Sequence, residues 1–349
     1  MPKSQTEFQE PLLSESDLQT DSVLSSNKRN NEAKNFRMGI FFTLLAGMGF
    51  GFLGIFGKLA FARNIGVGDL LFFRFAMATG GLFLIRYVFS KQILNRTAFG
   101  RKSIVKHNTL SSRQKWNSIL LGCFGYAVFS TLYFFSIKNL SVALAALILF
   151  SFPIFVNMGS VFYLKEKFSV QQGLALALSI FGLTVLLWGD FQVHSWLGVV
   201  CGFAAAVTYS AYVLVSGRTQ QGADPLEATQ YVLLGAAVSL FVIHGLFIKD
   251  SLHMDQWLRF PIEHYLIFFA MSVFSTILPI VFFLMALHRL PSSVASVVVT
   301  VEPLVATLSA WLLLNEALDT KTFVGGTLIV SSVMISAVRK KAVHSSLVS

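Results

Sequence analysis

One carboxylate in the middle of an otherwise uncharged apolar segment is the best candidate for chemistry in this chain. Glu302 is the only charged residue in the run 293–314. A charge at the centre of a bilayer is unfavourable, so such residues usually face a protein interior or a water-filled cavity. Two interpretations stay open. Glu302 is either a proton-coupling or solute-binding carboxylate, or a structural acid that is paired with Lys58 or Arg74 or stays protonated.

Two prolines predict interrupted helices. Pro303 follows Glu302, and Pro153 lies at the middle of the apolar run 142–164. Proline has no amide hydrogen and disrupts the helical turn before it. Interrupted helices at corresponding positions of two halves point to a transporter binding site. The alternative is that proline is simply tolerated in a membrane helix.

Two cations lie within a turn or two of the outer ends of their apolar runs, namely Lys58 and Arg74. Either can attract an anionic solute or neutralise Glu302, and the alternative is that its charge snorkels to the interface. Further polar side chains at mid-membrane depth can bind solute or merely pack; they are Tyr209, Tyr212, Tyr126, Tyr133, Asn157 and Thr300.

Composition excludes several classes of protein. Of the 349 residues, 54% are hydrophobic and 13% are charged, whereas a soluble domain carries about 25% charged residues. The net charge of +10 comes from basic residues concentrated between apolar runs, which argues against a nucleic-acid partner. The sequence contains no phosphate-binding GxxxxGK[ST] loop, no metal-ligand spacing and no catalytic grouping. We therefore predict no catalytic residues, no metal and no cofactor.

The elements that position these residues are ten apolar runs. Each is long enough to cross a bilayer as a helix of roughly 20 residues, and irregular backbone cannot face lipid. The predicted spans are 38–61, 67–89, 116–137, 142–164, 170–188, 196–217, 226–248, 265–287, 293–314 and 322–338. The polar segment 1–37 is predicted to be a disordered cytoplasmic tail, and 339–349 a second cytoplasmic tail.

Basic residues predict the orientation. Most of the 27 Lys and Arg residues lie on one side of the predicted spans, with seven of them in 90–115. Because cytoplasmic loops carry an excess of Lys and Arg, both termini are predicted to be cytoplasmic. The membrane is predicted to be the bacterial inner membrane, with a eukaryotic endomembrane as the alternative.

The chain also repeats itself. Residues 131–168 align without a gap on 281–318 at an offset of 150. Identical pairs are Leu140 and Leu290, Ala145 and Ala295, Pro153 and Pro303, Leu164 and Leu314, and Glu166 and Glu316. Each half has five helices, which is an odd number, so the second half begins on the opposite side of the membrane from the first. This arrangement is the inverted repeat common in secondary transporters. The fold class is therefore all-α integral membrane, with ten spans in two inverted five-helix repeats.

These residues resemble the EamA-type family of the drug/metabolite transporter superfamily. The resemblance covers about 38–340 and rests on a glycine-rich first helix ending in Lys58, on Arg74, and on the paired motifs around Pro153 and Pro303. It implies EamA-like repeats at 38–188 and 196–338, and solute transport, often export, through a central cavity. One departure is Phe152, which stands where the second half has Glu302.

The sequence therefore predicts a secondary active transporter of a small metabolite, working by export or exchange. The solute is an amino acid, a nucleotide-like or a drug-like compound, and proton coupling is one option. The alternatives are a channel or receptor-like membrane protein and an integral membrane enzyme. The sequence leaves the coupling ion and the oligomeric state open.

Overall fold

The structure is a computed structural model that describes residues 15–97, 110–140, 142–166, 169–189, 193, 195–248, 252–314 and 318–337. In this part of the chain, all regular structure is helical apart from one isolated bridge between Leu140 and Val193. The predicted tail 339–349 and residues 1–14 lie outside the described residues.

Ten apolar helical segments correspond to the ten predicted runs. Over the described residues, nine are long and apolar enough to cross a membrane, and the tenth is a shorter helix of 17 residues. We number them spans 1 to 10: Asn30–Phe61, Val67–Tyr87, Ser112–Asn139, Leu144–Phe162, Val170–Leu186, Trp196–Thr219, Pro225–Phe247, Ile262–Leu287, Ser292–Leu313 and Thr320–Ala337.

Several spans change helix type along their length. Span 1 belongs to the helices Glu15–Gly51 and Leu53–Phe61, and span 2 belongs to the helix Val67–Thr97. Span 3 contains the π segment Leu121–Ala127 between the helices Ser112–Leu120 and Val128–Asn139. Span 7 ends in the π segment Ile243–Phe247, and span 8 contains the π segment Val273–Ile277 between the helices Ile262–Ser272 and Leu278–Leu287. The π segments of spans 3 and 8 end at Ala127 and Ile277, which are also 150 residues apart.

The first helix begins much earlier than predicted. It runs without interruption from Glu15 to Gly51, so residues 15–37 are helical where composition predicts disorder. The physical reason is that extending an existing helix requires no new nucleation, which is the costly step of helix formation. The membrane-spanning part therefore supports a polar segment that has little apolar surface of its own to bury.

Spans 4 and 9 are both interrupted immediately before their prolines. Span 4 belongs to the helices Val142–Leu149 and Phe152–Phe162, with a turn between them. Span 9 consists of Ser292–Val298, a 3₁₀ turn at Val299–Val301, and Glu302–Leu314. The two breaks occupy equivalent positions of the repeat, where each proline removes a backbone donor.

Contacts between spans follow an inverted two-fold pattern. Span 1 packs on span 8 and span 6 packs on span 3, which is the same contact with the halves exchanged. Three further contacts each join a span to the equivalent span of the other half, namely span 2 to span 7, span 4 to span 9 and span 5 to span 10. The prediction of an all-α membrane fold built as an inverted repeat is therefore confirmed.

Glycines allow span 1 to approach the break in span 9. A Cβ on Gly47 would lie 2.6 Å from the side chain of Val301, and one on Gly51 would lie 2.8 Å from that of Val305. Small residues permit such close backbone approach between membrane helices. Gly54, which the sequence places on the same face, has no atom within 4 Å of that position, so close packing extends only to Gly51.

Candidate functional site

One cavity is lined by both interrupted spans. Its empty volume is about 490 Å³, with the open space at its mouth included. Leu149, Phe150 and Phe152 border it at the break of span 4, and Glu302 borders it at the break of span 9. The remaining lining residues are Phe50, Leu53, Arg74, Tyr126, Phe129, Ser130, Tyr133, Phe134 and Tyr209. Among the described residues, the wall is thus mostly aromatic, with one carboxylate and one guanidinium.

Arg74 is held on span 2 by residues of span 8. The side chain is buried, with 2% exposed. Its Nε donates a hydrogen bond to Thr276 Oγ1 at 2.6 Å, and its Nη2 donates one to the Ser275 carbonyl at 3.0 Å. Both acceptors lie in the π segment Val273–Ile277. Because a buried charge is costly unless it is hydrogen-bonded, these contacts explain how a guanidinium is kept beside the cavity.

Glu302 is the first residue of the helix that follows the break in span 9. It lies in the first turn of that helix, and its backbone N–H donates to the Val299 carbonyl of the preceding 3₁₀ turn. Arg74 interacts with it electrostatically, yet no ion pair within 4 Å joins the two among the described residues. The opposite charges therefore border one cavity without forming a closed salt bridge.

The predicted tyrosines form an aromatic wall. Tyr209 borders the cavity, and its ring centroid lies 4.8 Å from that of Phe152 and 4.7 Å from that of Phe129. Tyr212 is buried behind this layer, where its ring stacks on Tyr209 at 6.0 Å and meets Tyr126 edge-on at 5.3 Å. The structure thus places Tyr209 in the cavity wall and Tyr212 in the layer that supports it.

Two predicted polar residues lie away from the cavity wall. Asn157 is buried, and its Nδ2 donates to the carbonyl of Pro153 at 2.8 Å. Thr300 is fully buried and shares a hydrogen bond of 2.8 Å with Ser179 of span 5. The 3₁₀ turn at Val299–Val301 has fewer residues per turn than an α-helix, which changes the face on which Thr300 emerges.

The structure describes the two predicted helix-breaking prolines but not the side chain of Lys58. Pro153 and Pro303 are buried and lie in the first turns of the helices that follow the two breaks. Lys58 belongs to the helix Leu53–Phe61, but its side chain lies outside the described residues. Its predicted role in attracting solute or pairing with Glu302 therefore stays a prediction.

Sequence reasoning missed part of the wall. Phe129 and Ser130 border the cavity together with Tyr126 and Tyr133. The four residues are spaced as i, i+3, i+4 and i+7, which is one face of a helix, so this pattern could have identified them. No comparable signal marks Thr276. Over the described residues, no group of three or more His, Cys, Asp or Glu side chains is arranged to hold a metal.

Comparison with known proteins agrees with this architecture. The model of the EamA-like transporter family matches residues 37–188 and 196–338, which is most of the chain. The chain belongs to the EamA-like transporter family. It is therefore a multi-pass membrane transporter of the drug/metabolite transporter superfamily, and its family indicates solute transport rather than enzymatic catalysis.

Relatives of this EamA-like chain include bacterial and archaeal proteins. An uncharacterized transporter of Archaeoglobus fulgidus is 27% identical over 61% of this chain and 74% of its own length. The uncharacterized transporter YoaV of Bacillus subtilis is 23% identical over 81% of this chain and 92% of its own. A solved crystal structure superposes with a TM-score of 0.67 over 85% of this chain and 96% of that one, at 16% identity, which supports the fold alone.

Proposed function

We propose that this EamA-like protein is a secondary active transporter that moves a small metabolite through the central cavity, by export or exchange. The observation that carries the proposal is that both helix breaks, one from each half, border one cavity. In inverted-repeat transporters, solute and coupling-ion sites lie near the bilayer midplane at the interface of the repeats, where helices are discontinuous. The cavity is lined by residues of both 38–188 and 196–338, which we propose as the two repeats.

The lining of the cavity favours an amphipathic solute. Aromatic rings from spans 3, 4 and 6 supply apolar contact area, while Arg74 and Glu302 supply one charge of each sign. Binding sites for small molecules typically combine apolar walls with a few polar groups that fix orientation. Amino acids, nucleotide-like compounds and drug-like compounds all fit this description.

Glu302 is the proposed coupling residue. A group that binds a proton on one side of the membrane and releases it on the other links solute movement to the proton gradient. Glu302 borders the cavity and has no direct ion pair with Arg74 among the described residues, so its carboxylate is available to a proton or to a solute. We further propose that both termini are cytoplasmic and that the membrane is a bacterial inner membrane.

Transport is tested with the purified full-length chain in proteoliposomes. Vesicles are incubated with a small-molecule extract of cells, and their contents are compared by mass spectrometry with those of protein-free vesicles. We expect unmodified compounds to accumulate saturably, and uptake to accelerate when the same compound is loaded inside. Products of new mass would indicate an enzyme. Uptake without saturation or acceleration would indicate a channel, and either result would overturn the proposal.

A further inference from the structure

The side chain of Arg74 is fixed by a hydroxyl whose hydrogen-bond roles can be assigned. The Thr276 hydroxyl lies 3.0 Å from the carbonyl of Met271, five residues earlier, and 2.6 Å from Arg74 Nε. A guanidinium can only donate. The Thr276 oxygen must therefore accept from Arg74, and its single hydrogen is left to donate to Met271. In this series of hydrogen bonds, Arg74 Nε donates to the Thr276 hydroxyl and that hydroxyl donates to the Met271 carbonyl. Thr276 therefore fixes the direction of the Arg74 Nε–H bond.

The backbone of Arg74 is held by the same helix. Ser272 is buried, and its Oγ lies within hydrogen-bond distance of the Arg74 carbonyl, at 2.8 Å, and of the Phe268 carbonyl, at 2.6 Å. Ser272 and Thr276 are four residues apart and thus share one face of span 8. Both the main chain and the side chain of Arg74 are therefore positioned by the second half of the protein.

This arrangement leaves part of the guanidinium free for a ligand. Arginine has five N–H donors, of which Thr276 and the Ser275 carbonyl use two. Tyr126 also forms a side-chain hydrogen bond with the guanidinium, and Glu302 interacts with its charge electrostatically. No described carboxylate forms an ion pair with it, so the remaining N–H donors are open to a ligand. A planar guanidinium held in one orientation matches the two oxygens of a carboxylate.

We propose that Thr276 is a positioning residue that presents Arg74 to the carboxylate of the transported solute. The inference rests on the proposed function and names the substrate class as a small organic acid or amino acid with an apolar body. The body lies against the aromatic wall that contains Phe129 and Tyr209, and the carboxylate lies on Arg74. Without the Thr276 acceptor, the guanidinium loses its fixed direction and binds the carboxylate less tightly.

The test measures binding rather than transport, with two probes that share a ring and differ in charge. Radiolabelled phenylacetate and radiolabelled 2-phenylethylamine are titrated onto the full-length chain in nanodiscs. We expect the wild type to prefer phenylacetate. Thr276→Val is expected to weaken phenylacetate binding about tenfold, as expected for losing a hydrogen bond to a charged group. The same variant should leave 2-phenylethylamine binding unchanged, so the ratio of the two affinities falls.

Two further variants separate positioning from folding. Thr276→Ser keeps the hydroxyl and is expected to retain the wild-type ratio. Thr79→Val is the matched control, because Thr79 is a buried threonine of span 2 whose hydroxyl, among the described residues, bonds only to the Phe75 carbonyl of its own helix. This variant is also expected to retain the ratio. If Thr276→Val does not fold, Thr276→Ala removes the same acceptor with a smaller side chain.

Three outcomes would overturn the inference. They are a wild-type chain that prefers 2-phenylethylamine, a wild-type chain that binds neither probe, and an unchanged ratio in folded Thr276→Val and Thr276→Ala. Because the binding measurement does not require transport, failure of the proposed function can be distinguished from failure of the inference about Thr276. If the chain binds carboxylates selectively but no compound accumulates in vesicles, only the proposed transport function is contradicted. If compounds accumulate without that selectivity, only the proposed role of Thr276 is contradicted.

Discussion

Phe152 and Glu302 occupy equivalent positions of the two repeats and border the same cavity. Each begins the helix that follows a break, and each precedes a proline. Phe152 is 1% exposed and packs its ring on Tyr209 at 4.8 Å, whereas Glu302 contributes a carboxylate. Similar backbones thus present an aromatic ring on one side and an acid on the other. This asymmetry gives the cavity one titratable carboxylate between two structurally related halves.

The first prediction concerns coupling. Glu302→Gln keeps the shape of the side chain but cannot titrate, so we expect it to abolish accumulation driven by a proton gradient while exchange of solute continues. Flux is measured in proteoliposomes with and without an imposed pH gradient, using a compound identified by the vesicle experiment. Glu263→Gln is the matched control, because Glu263 is an exposed carboxylate paired with Arg63 at 3.0 Å. Full gradient dependence in folded Glu302→Gln would exclude the coupling role.

The second prediction separates coupling from a structural charge pair. If Glu302 served mainly to balance Arg74, Glu302→Gln would reduce protein abundance, and adding Arg74→Gln would recover part of it. The structure shows Arg74 bonded to Thr276 and the Ser275 carbonyl instead, so we expect Glu302→Gln to be expressed normally. We also expect Arg74→Gln to lower abundance in either background. Quantitative immunoblotting of the four chains measures this, and recovery in the double variant would contradict it.

Sequence predicts the spans and much of the cavity because both depend on local patterns. Long apolar runs give the helices, and the mid-membrane acid with its proline gives the break. The contacts of Arg74 are not predictable in this way, because the acceptors Thr276 and Ser275 lie about 200 residues away in a π segment. Arg86 shows the same limit. Its place near the inner end of the predicted run 67–89 indicates only a basic residue that sets membrane orientation, yet its Nη1 donates to Gln230 Oε1 at 2.8 Å. Such bonds depend on packing between helices that no local pattern encodes.

The third prediction tests the packing of span 1. Gly51→Ala places a Cβ 2.8 Å from the Val305 side chain and 3.0 Å from the Glu302 carbonyl, so span 9 must shift near its break. Overpacking typically costs about 1–3 kcal/mol, and we expect a lower melting temperature in detergent. Gly54→Ala is the matched control, since nothing lies within 4 Å of its Cβ position. Equal melting temperatures for the two variants would contradict the close approach at Gly51.

The fourth prediction concerns Glu227, a buried acid in the first turn of span 7. Glu227 is 3% exposed and accepts the Leu110 N–H at 3.0 Å, while Arg86 and Lys115 lie 3.4 and 3.5 Å from its carboxylate. Glu227→Gln removes the negative charge between two cations. We expect a loss of roughly 1–3 kcal/mol, as for other hydrogen bonds to charged groups.

Thermal unfolding in detergent measures this loss. The control is again Glu263→Gln, whose pair with Arg63 is exposed on both sides and should contribute only about 0–1 kcal/mol. A Glu227→Gln chain as stable as the control would show that the cluster is not a structural anchor.

The last prediction fixes the orientation of the protein in the membrane. The segment around Asp255 is anchored to the start of span 2, since the His253 N–H and Trp257 Nε1 both donate to Asp69 Oδ1, at 3.1 and 2.7 Å. Asp255 itself is exposed, as is Ser112 at the start of span 3 on the opposite side of the bundle. Because basic residues predict a cytoplasmic side for 90–115, Asp255 should face outward.

Single cysteines report the two sides in a chain that carries Cys123→Ala and Cys201→Ala. A membrane-impermeant maleimide added to intact cells should label Asp255→Cys strongly. It should label Ser112→Cys only after the membrane is permeabilised, because that position is then reached from the cytoplasmic side. The reverse pattern would invert the topology, and equal labelling of both positions in intact cells would indicate that the chain inserts in both orientations.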